Sequence, residues 1–290
     1  MNSKVFSITG STRVYCLIGH PVEHSFSPIM HNANFQDLNL DYVYIAFDVH
    51  PDHLEKAING MRALGIKGMN VTIPHKESVI QYLDEIEEVS MKIGAINTIK
   101  NESGYLIGRN TDAAGARKSL IDAGCNISGK KILILGAGGV SRALCFILAE
   151  EAEEIILADI FEERSKDLAN EVKDKMGGNI KGRLSTKELI AEEINSVDIL
   201  INATPIGMYP KIEATPISKE FLHSDLFVFD VVYNPLNTKL MKNAVEIGCK
   251  TLGGLDMLVN QGILAFEWWT GKSPKSNLMK NAIIEFLGIS

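Results

Sequence analysis

The stretch KILILGAGGVSRA, Lys131 to Ala143, limits the fold more than any other part of the chain. Four large apolar residues in a row read as a buried strand, and LCFILA further on continues the amphipathic helix that VSRA begins. Between them lies a glycine turn. A glycine at 136 permits a tight turn. One at 138 lets backbone N–H groups approach a pyrophosphate at a helix N-terminus, where the dipole favours negative charge. The third position of a strict GxGxxG is Ser141, small enough for close helix–strand packing. Strand, turn and helix in this order point to dinucleotide binding, with Gly136, Ala137, Gly138, Gly139 and Val140 as the cradle. The next strand, EEIILADI, ends in Asp159, 23 residues after Gly136. A carboxylate there accepts hydrogen bonds from ribose hydroxyls of NAD and repels the extra phosphate of NADP. Ile160 and Phe161 add no compensating charge, although Arg164 is near. The expected cofactor is NAD, with NADP as the alternative.

The rest of the chain also alternates strand and helix. RVYCLIG, DYVYIAFDV and KGMNVTIP read as strands. SPIMHNANFQDL reads as a helix with Ser27 as its cap and Pro28 in its first turn. A second helix carries Leu54, Ile58, Met61 and Leu64 on one face, and ESVIQYLDEI reads as a third. AINTIKNESGYLIGRN is a hairpin. TDAAGARKSLIDAG opens a helix near residue 112, where the second alternating series begins. Strands in DILINATPIGM and DLFVFDVVYNP follow, and two apolar-faced helices close the chain. Alternating βαβ units imply an α/β fold with helices packed on parallel strands, and 290 residues suggest two domains.

A net charge of −7 without a dense Lys/Arg tract argues against a nucleic-acid groove. No apolar run is long enough to span a bilayer, and MNSKVFSITG lacks the pattern of a secretory leader. Cys16, Cys125, Cys145 and Cys249 form no CxxC pair, so reduced thiols in the cytoplasm are expected. His20, His24, His31 and His75 show no recognised zinc spacing, and no GxSxG surrounds Ser25. Neither a metal site nor a serine nucleophile is expected.

Eight segments together resemble the shikimate dehydrogenase family: GHPVEHSFSPIMHN at 19–32, NVTIPHK at 70–76, GAINT at 94–98, GRNTD at 108–112, GAGGVSRA at 136–143, NATPIGM at 202–208, DVVYNP at 230–235 and GGLDMLVNQG at 253–262. They occur in the family's order across nearly the whole chain. The resemblance implies a mixed α/β substrate domain over 1–111, completed by C-terminal helices at 256–290. It implies a Rossmann-like dinucleotide-binding domain over 112–255. The implied reaction is hydride transfer between a nicotinamide cofactor and 3-dehydroshikimate/shikimate in aromatic amino-acid biosynthesis, by a monomer or homodimer with a small-molecule substrate. Lys76 and Asp112 would be the catalytic pair. Ser25, Ser27, Thr72, Asn97, Tyr233 and Gln261 would bind substrate, and Thr204, Gly254 and Met257 would join the cofactor side. The family's NADP users typically carry Asn-Arg-Thr where this chain has Asp159, Ile160 and Phe161, a departure shared with the NAD-using quinate/shikimate branch. That branch often has Ser where this chain has Thr72. Quinate use and a non-catalytic dinucleotide-sensing module are the alternatives, and retention of Lys76 and Asp112 speaks against the second.

The chemistry is compatible with these roles, but from position alone Lys76 reads better as an exposed lysine after a strand, and only the combined segments make it and Asp112 catalytic candidates. Hydride reduction of a ketone develops negative charge on oxygen, which an ammonium can stabilise and protonate. Asp112, at the start of a helix, also has the bland role of a cap. Neutral Ser, Thr, Asn and Gln side chains suit a polyhydroxylated carboxylate. Asn70, Asn97 and Asn202 equally suit strand ends and turns. Ser25 and Ser27, two apart in an extended segment, would point both hydroxyls one way, with Phe26 turned into the core.

Overall fold

The computed structural model describes residues 7–288. The chain divides into two compact units: the chain up to Thr111 together with the segment from Gln261 onward, and Asp112–Asn260. The sequence places the return at 256. It falls at 261, inside a helix unbroken from Gly254 to Thr270, so no loop marks it. The expectation about a leader rests on residues 1–10, of which 1–6 lie outside the described residues.

The first unit begins β1 (Arg13–Gly19), α1 (Ser27–Asp37), β2 (Tyr42–Asp48), α2 (Leu54–Leu64) and β3 (Gly68–Val71). It continues β4 (Glu85–Ile86), α3 (Glu88–Ile93), β5 (Thr98–Glu102) and β6 (Tyr105–Arg109). Its sheet has the order β2-β1-β3-β5-β6-β4. β1, β2 and β3 are parallel, and β5 runs antiparallel to both β3 and β6. The hairpin turns through Ser103 and Gly104, both at positive φ. ESVIQYLDEI does not form the expected helix: Ser78–Tyr82 is a 3-10 turn, and Glu85–Ile86 pairs with β6. Leu64 also departs from its expected face. Leu54, Ile58 and Met61 are buried, but Leu64 is 79% exposed in the last turn of α2, before the left-handed Gly65.

Helix α9 (Gly254–Thr270) reaches this unit from Gln261, and α10 (Ser276–Phe286) follows it. Two glycines allow α9 to pack closely. A Cβ on Gly68 would fall 2.6 Å from the Trp269 ring, and one on Gly262 would fall 2.5 Å from Met30. Trp269 donates its indole N–H to the Ile99 carbonyl and packs against Tyr15 and His31. His31 is fully buried, stacked on Tyr44 at 4.5 Å, and neither ring nitrogen has a hydrogen-bond partner.

Burial pushes the His31 pKa down to about 3. Its folded value thus lies below the unfolded value of about 6.5. The stability this group carries is present above pH 6.5 and is lost as pH falls from there toward 3, by about 1.4 kcal/mol per pH unit. Urea midpoints between pH 7 and 4.5 should therefore fall more steeply for the wild type than for His31→Phe. Equal slopes would mean that His31 gains its proton without unfolding.

The second unit contains α4 (Thr111–Asp122) from Asp112 onward, β7 (Lys131–Leu135), α5 (Gly139–Leu148), β8 (Glu154–Asp159) and α6 (Glu162–Met176). It then contains β9 (Ile180–Leu184), α7 (Lys187–Glu193), β10 (Ile199–Asn202), β11 (Phe227–Asp230), α8 (Lys239–Ile247) and β12 (Lys250–Gly253). Its six strands are all parallel, in the order β12-β11-β10-β7-β8-β9. This is the doubly wound arrangement, whose winding reverses between β7 and β10 and leaves a ligand crevice at the strand C-termini there. Leu133, Leu135, Leu200 and Val228 bury one face of the sheet against α7 and α8. β9, α7, α8 and β12 lie in stretches without an expected element; α8 nevertheless carries Leu240, Met241 and Ala244 on one buried face.

Candidate active site

In the first unit, strand direction collects the sequence-predicted residues at one sheet edge. β1 and β3 run parallel and end at Gly19 and Val71. β5 runs the other way, so it begins at that edge: Asn70 pairs with Thr98. Thr98 in turn pairs with Arg109, the end of β6, which leads into Thr111 and Asp112. Ser25 and Ser27 after β1, Thr72 and Lys76 after β3, and Asn97 before β5 therefore share this edge with Thr111.

The loop after β3 is pinned. Thr72 N–H donates to the Ile18 carbonyl, the Thr72 carbonyl accepts from His75 N–H, and the Lys76 carbonyl accepts from Ile96 N–H at 2.7 Å. Gly19 has no Cβ because one would sit 2.3 Å from the Thr72 methyl. His75 is buried and donates Nε2–H to the Val49 carbonyl at 2.7 Å. Lys76 is half-buried and Asp112 is buried.

Ser27 does not cap α1. It is already the first helical residue, and the N-cap is Phe26, in right-handed rather than extended geometry. Ser25 takes the capping part, accepting from Ser27 N–H at 3.3 Å. Phe26 is buried, as expected, with its ring 6.2 Å from that of Phe286. Behind these serines runs a buried polar network. Tyr44 Oη donates to Asn70 Oδ1 at 2.7 Å, and Asn70 Nδ2 donates to the Asn97 carbonyl and Thr98 Oγ1. Asn97 Oδ1 accepts from Thr111 N–H at 2.7 Å and its Nδ2 donates to Thr111 Oγ1, which leaves one amide N–H of Asn97 for a ligand. Gln261 is buried in α9, next to the close approach at Gly262.

The second unit builds its own edge from β12, β11, β10, β7 and β8, neighbours in that order. Gly136 sits at φ +96, and a Cβ there would meet the Ala203 carbonyl oxygen and the Thr204 methyl at 3.0 Å. The turn thus packs on the loop after β10. Gly138 and Gly139 are exposed with open space where a Cβ would point, and Gly138 caps α5 without any side-chain acceptor. Orphan N–H groups beside open space fit a dinucleotide pyrophosphate. Gly254 is required by contact: a Cβ would fall 2.2 Å from the Val231 carbonyl oxygen, so the start of α9 packs on the segment leading to Tyr233. Tyr233 is half-buried, and burial raises its phenol pKa. Met257 is buried.

Asp159 has a second task that the sequence did not reveal. Its carboxylate accepts from Ala137 N–H at 2.7 Å and from Phe161 N–H at 2.9 Å, so it also fixes the glycine turn. Ile160 and Phe161 are 71% and 54% exposed, and the Arg164 guanidinium lies 4.6 Å over the Phe161 ring.

Asp230 and Tyr44 were missed. Asp230 is fully buried, and burial raises its pKa against the pull of Thr238, Val232 N–H and Asn202. It accepts from Asn202 Nδ2 at 2.9 Å and from the Thr238 hydroxyl at 2.5 Å. Asn202 also accepts from Thr204 N–H and Oγ, so this cluster ties together the loops after β10 and β11. A carboxylate closing the apolar run FVFD was the available signal. Tyr44, inside an apolar strand, offered none. Among the described residues no group of three or more His, Cys, Asp or Glu could hold a metal, and no helix is long and apolar enough to cross a membrane.

Comparison with known proteins matches residues 17–99 to the shikimate dehydrogenase substrate binding domain, and residues 254–284 to the shikimate 5'-dehydrogenase C-terminal domain. A shikimate dehydrogenase (NADP(+)) of Methanocaldococcus jannaschii is 50% identical over 279 residues, covering 96% of this chain and 98% of that one. A crystal structure of a shikimate dehydrogenase with NADP+ has a TM-score of 0.91 at 48% identity, covering 97% of each chain. A shikimate 5-dehydrogenase from Listeria monocytogenes, solved with shikimate and NAD, has a TM-score of 0.87 at 38% identity over 95% of this chain and 98% of that one.

Proposed function

The chain belongs to the shikimate dehydrogenase family, and from that premise we propose how its residues divide the work. The reaction is reversible hydride transfer between a nicotinamide cofactor and 3-dehydroshikimate/shikimate. The bound dinucleotide supplies or accepts the hydride. Lys76 holds its ammonium at the carbonyl oxygen, stabilises the developing alkoxide and delivers the proton. Asp112 accepts a hydrogen bond from a substrate hydroxyl. Ser25 and Ser27 grip the carboxylate. Thr72, the remaining N–H of Asn97, Gln261 and Tyr233 address the ring hydroxyls. The observation that carries this reading is the convergence of Ser25, Ser27, Thr72, Lys76, Asn97 and Thr111 on one sheet edge.

The cradle of Gly136, Ala137, Gly138, Gly139 and Val140 takes the pyrophosphate, with Thr204, Gly254 and Met257 toward the nicotinamide. The relatives in the comparison include NADP(+) enzymes and two solved with NAD. NAD is the cofactor we propose this chain prefers. An acidic Asp159 repels a 2′-phosphate, and the two exposed residues after it, Ile160 and Phe161, are apolar. The four buried, unpaired cysteines accord with a reducing cytoplasm. Steady-state kinetics with shikimate and quinate, each with NAD and NADP, tests both levels. The expected order has shikimate with NAD highest in kcat/KM. Parity or preference for NADP removes the cofactor assignment, and absence of turnover with all four pairs removes the enzyme assignment.

A further inference from the structure

We propose that Tyr44 is a positioning residue for substrate binding, acting through Asn70; this rests on the assignment of shikimate to that sheet edge. Tyr44 is held from every side. Its backbone N–H and carbonyl both pair with the side-chain amide of Asn32, at 2.8 Å each. Its ring is stacked on His31 at an interplanar angle of 13°. Only its hydroxyl faces polar groups. Burial raises the phenol's pKa well above its ordinary value, and hydrogen bonding from Ser27 works against that shift. The phenol is therefore neutral and has one proton to give, which goes to Asn70 Oδ1 at 2.7 Å.

That bond and the one to the Asn97 carbonyl, which can only accept, together fix which way the Asn70 amide faces. With its oxygen turned to Tyr44, both Asn70 N–H bonds are spent, on the Asn97 carbonyl and on Thr98 Oγ1. Asn70 then has only a second lone pair on Oδ1 to offer a ligand, so it accepts from a ring hydroxyl and cannot donate. The order propagates. Thr98 Oγ1, already accepting from Asn70, turns its own proton to Asn97 Oδ1 or Thr111 Oγ1. Without the Tyr44 hydroxyl, Asn70 Oδ1 loses its donor, and the Asn97 carbonyl holds the amide from the other end alone. Among the described residues, Tyr44 is the side chain that donates to Asn70 Oδ1.

Tyr44→Phe tests this, because it removes the hydroxyl and keeps the ring against His31. Wild-type turnover of shikimate is measured first; its absence sinks the functional assignment itself. Given turnover, Tyr44→Phe is expected to raise KM for shikimate ~10-fold while KM for the dinucleotide stays within about twofold. In an Asn70→Ala background the same change should add less than about twofold, since the residue acts through Asn70. An unchanged KM for shikimate, a parallel rise in both KM values, or an undiminished effect in the Asn70→Ala background each overturns the proposal. A melting temperature that drops while KM for shikimate holds assigns Tyr44 to packing alone, which also overturns it. Should Tyr44→Phe fail to fold, Thr98→Val removes the acceptor of an Asn70 N–H. The same one-sided rise in KM is then expected, and no rise overturns the proposal.

Discussion

Lys76→Ala lowers kcat by ~10²–10⁴ and leaves KM for shikimate little changed. The ammonium contributes where charge develops on the substrate oxygen, which happens in the transition state and not in the bound ground state. A lost interaction of that kind appears in kcat and in kcat/KM equally. The loop that carries Lys76 is pinned through its own backbone, by the bond from Ile96 N–H to the Lys76 carbonyl and the turn from Thr72 to His75. Removing the side chain beyond Cβ leaves those bonds in place, so the effect reads chemistry and not a collapsed loop. Single-turnover measurements separate the chemical step from product release. An unchanged rate of that step would take Lys76 out of the mechanism.

Replacing Asp159, Ile160 and Phe161 with Asn, Arg and Thr shifts the ratio of kcat/KM for NADP over NAD by ~10²-fold or more toward NADP. The change removes one negative charge and adds one positive charge near the expected 2′-phosphate. A unit pair at 4 Å is worth about 4 kcal/mol at an effective dielectric of 20, and exposure of Ile160 and Phe161 cuts that substantially. The residual effect still reaches ~10²-fold. Absolute efficiency with both cofactors should fall as well. Asp159 accepts from two backbone N–H groups, one on each oxygen, and an asparagine can accept only at its carbonyl. The ratio is therefore the quantity to read. A ratio that stays constant would place selectivity elsewhere, with Arg164 the nearest cation in the sequence.

The strands and helices with strong apolar periodicity were legible: β1, α2, the β5–β6 hairpin, β7, α5, α9 and α10. ESVIQYLDEI was not. Its pattern suits a helix, but Glu85–Ile86 gains more by pairing with β6. Propensity yields there to a tertiary contact. Leu64 shows the same limit at a helix end, where periodicity continues past the surface the core can cover. Ser25 and Ser27 were found as a pair, but their geometry was not. The segment turns at Phe26 and starts the helix one residue early, so the hydroxyls are set by a helix terminus and not by an extended strand.

The sequence by itself determined the chemistry on offer: a glycine turn between strand and helix, an acidic end to the next strand, and the lysine, aspartate, serines and asparagines in a family's order. Those signals are local, because turn geometry and strand burial are decided within a few residues. Only the tertiary structure decided how the groups are aimed. Asp159 doubling as an anchor of the glycine turn and Asp230 holding two loops from a fully buried position depend on strands adjacent in the sheet, and the Tyr44 hydroxyl reaches Asn70 past the intervening β1, from 26 positions away in the chain. A hydrogen bond between such partners has no period and no fixed spacing, so it leaves no pattern in the sequence to read.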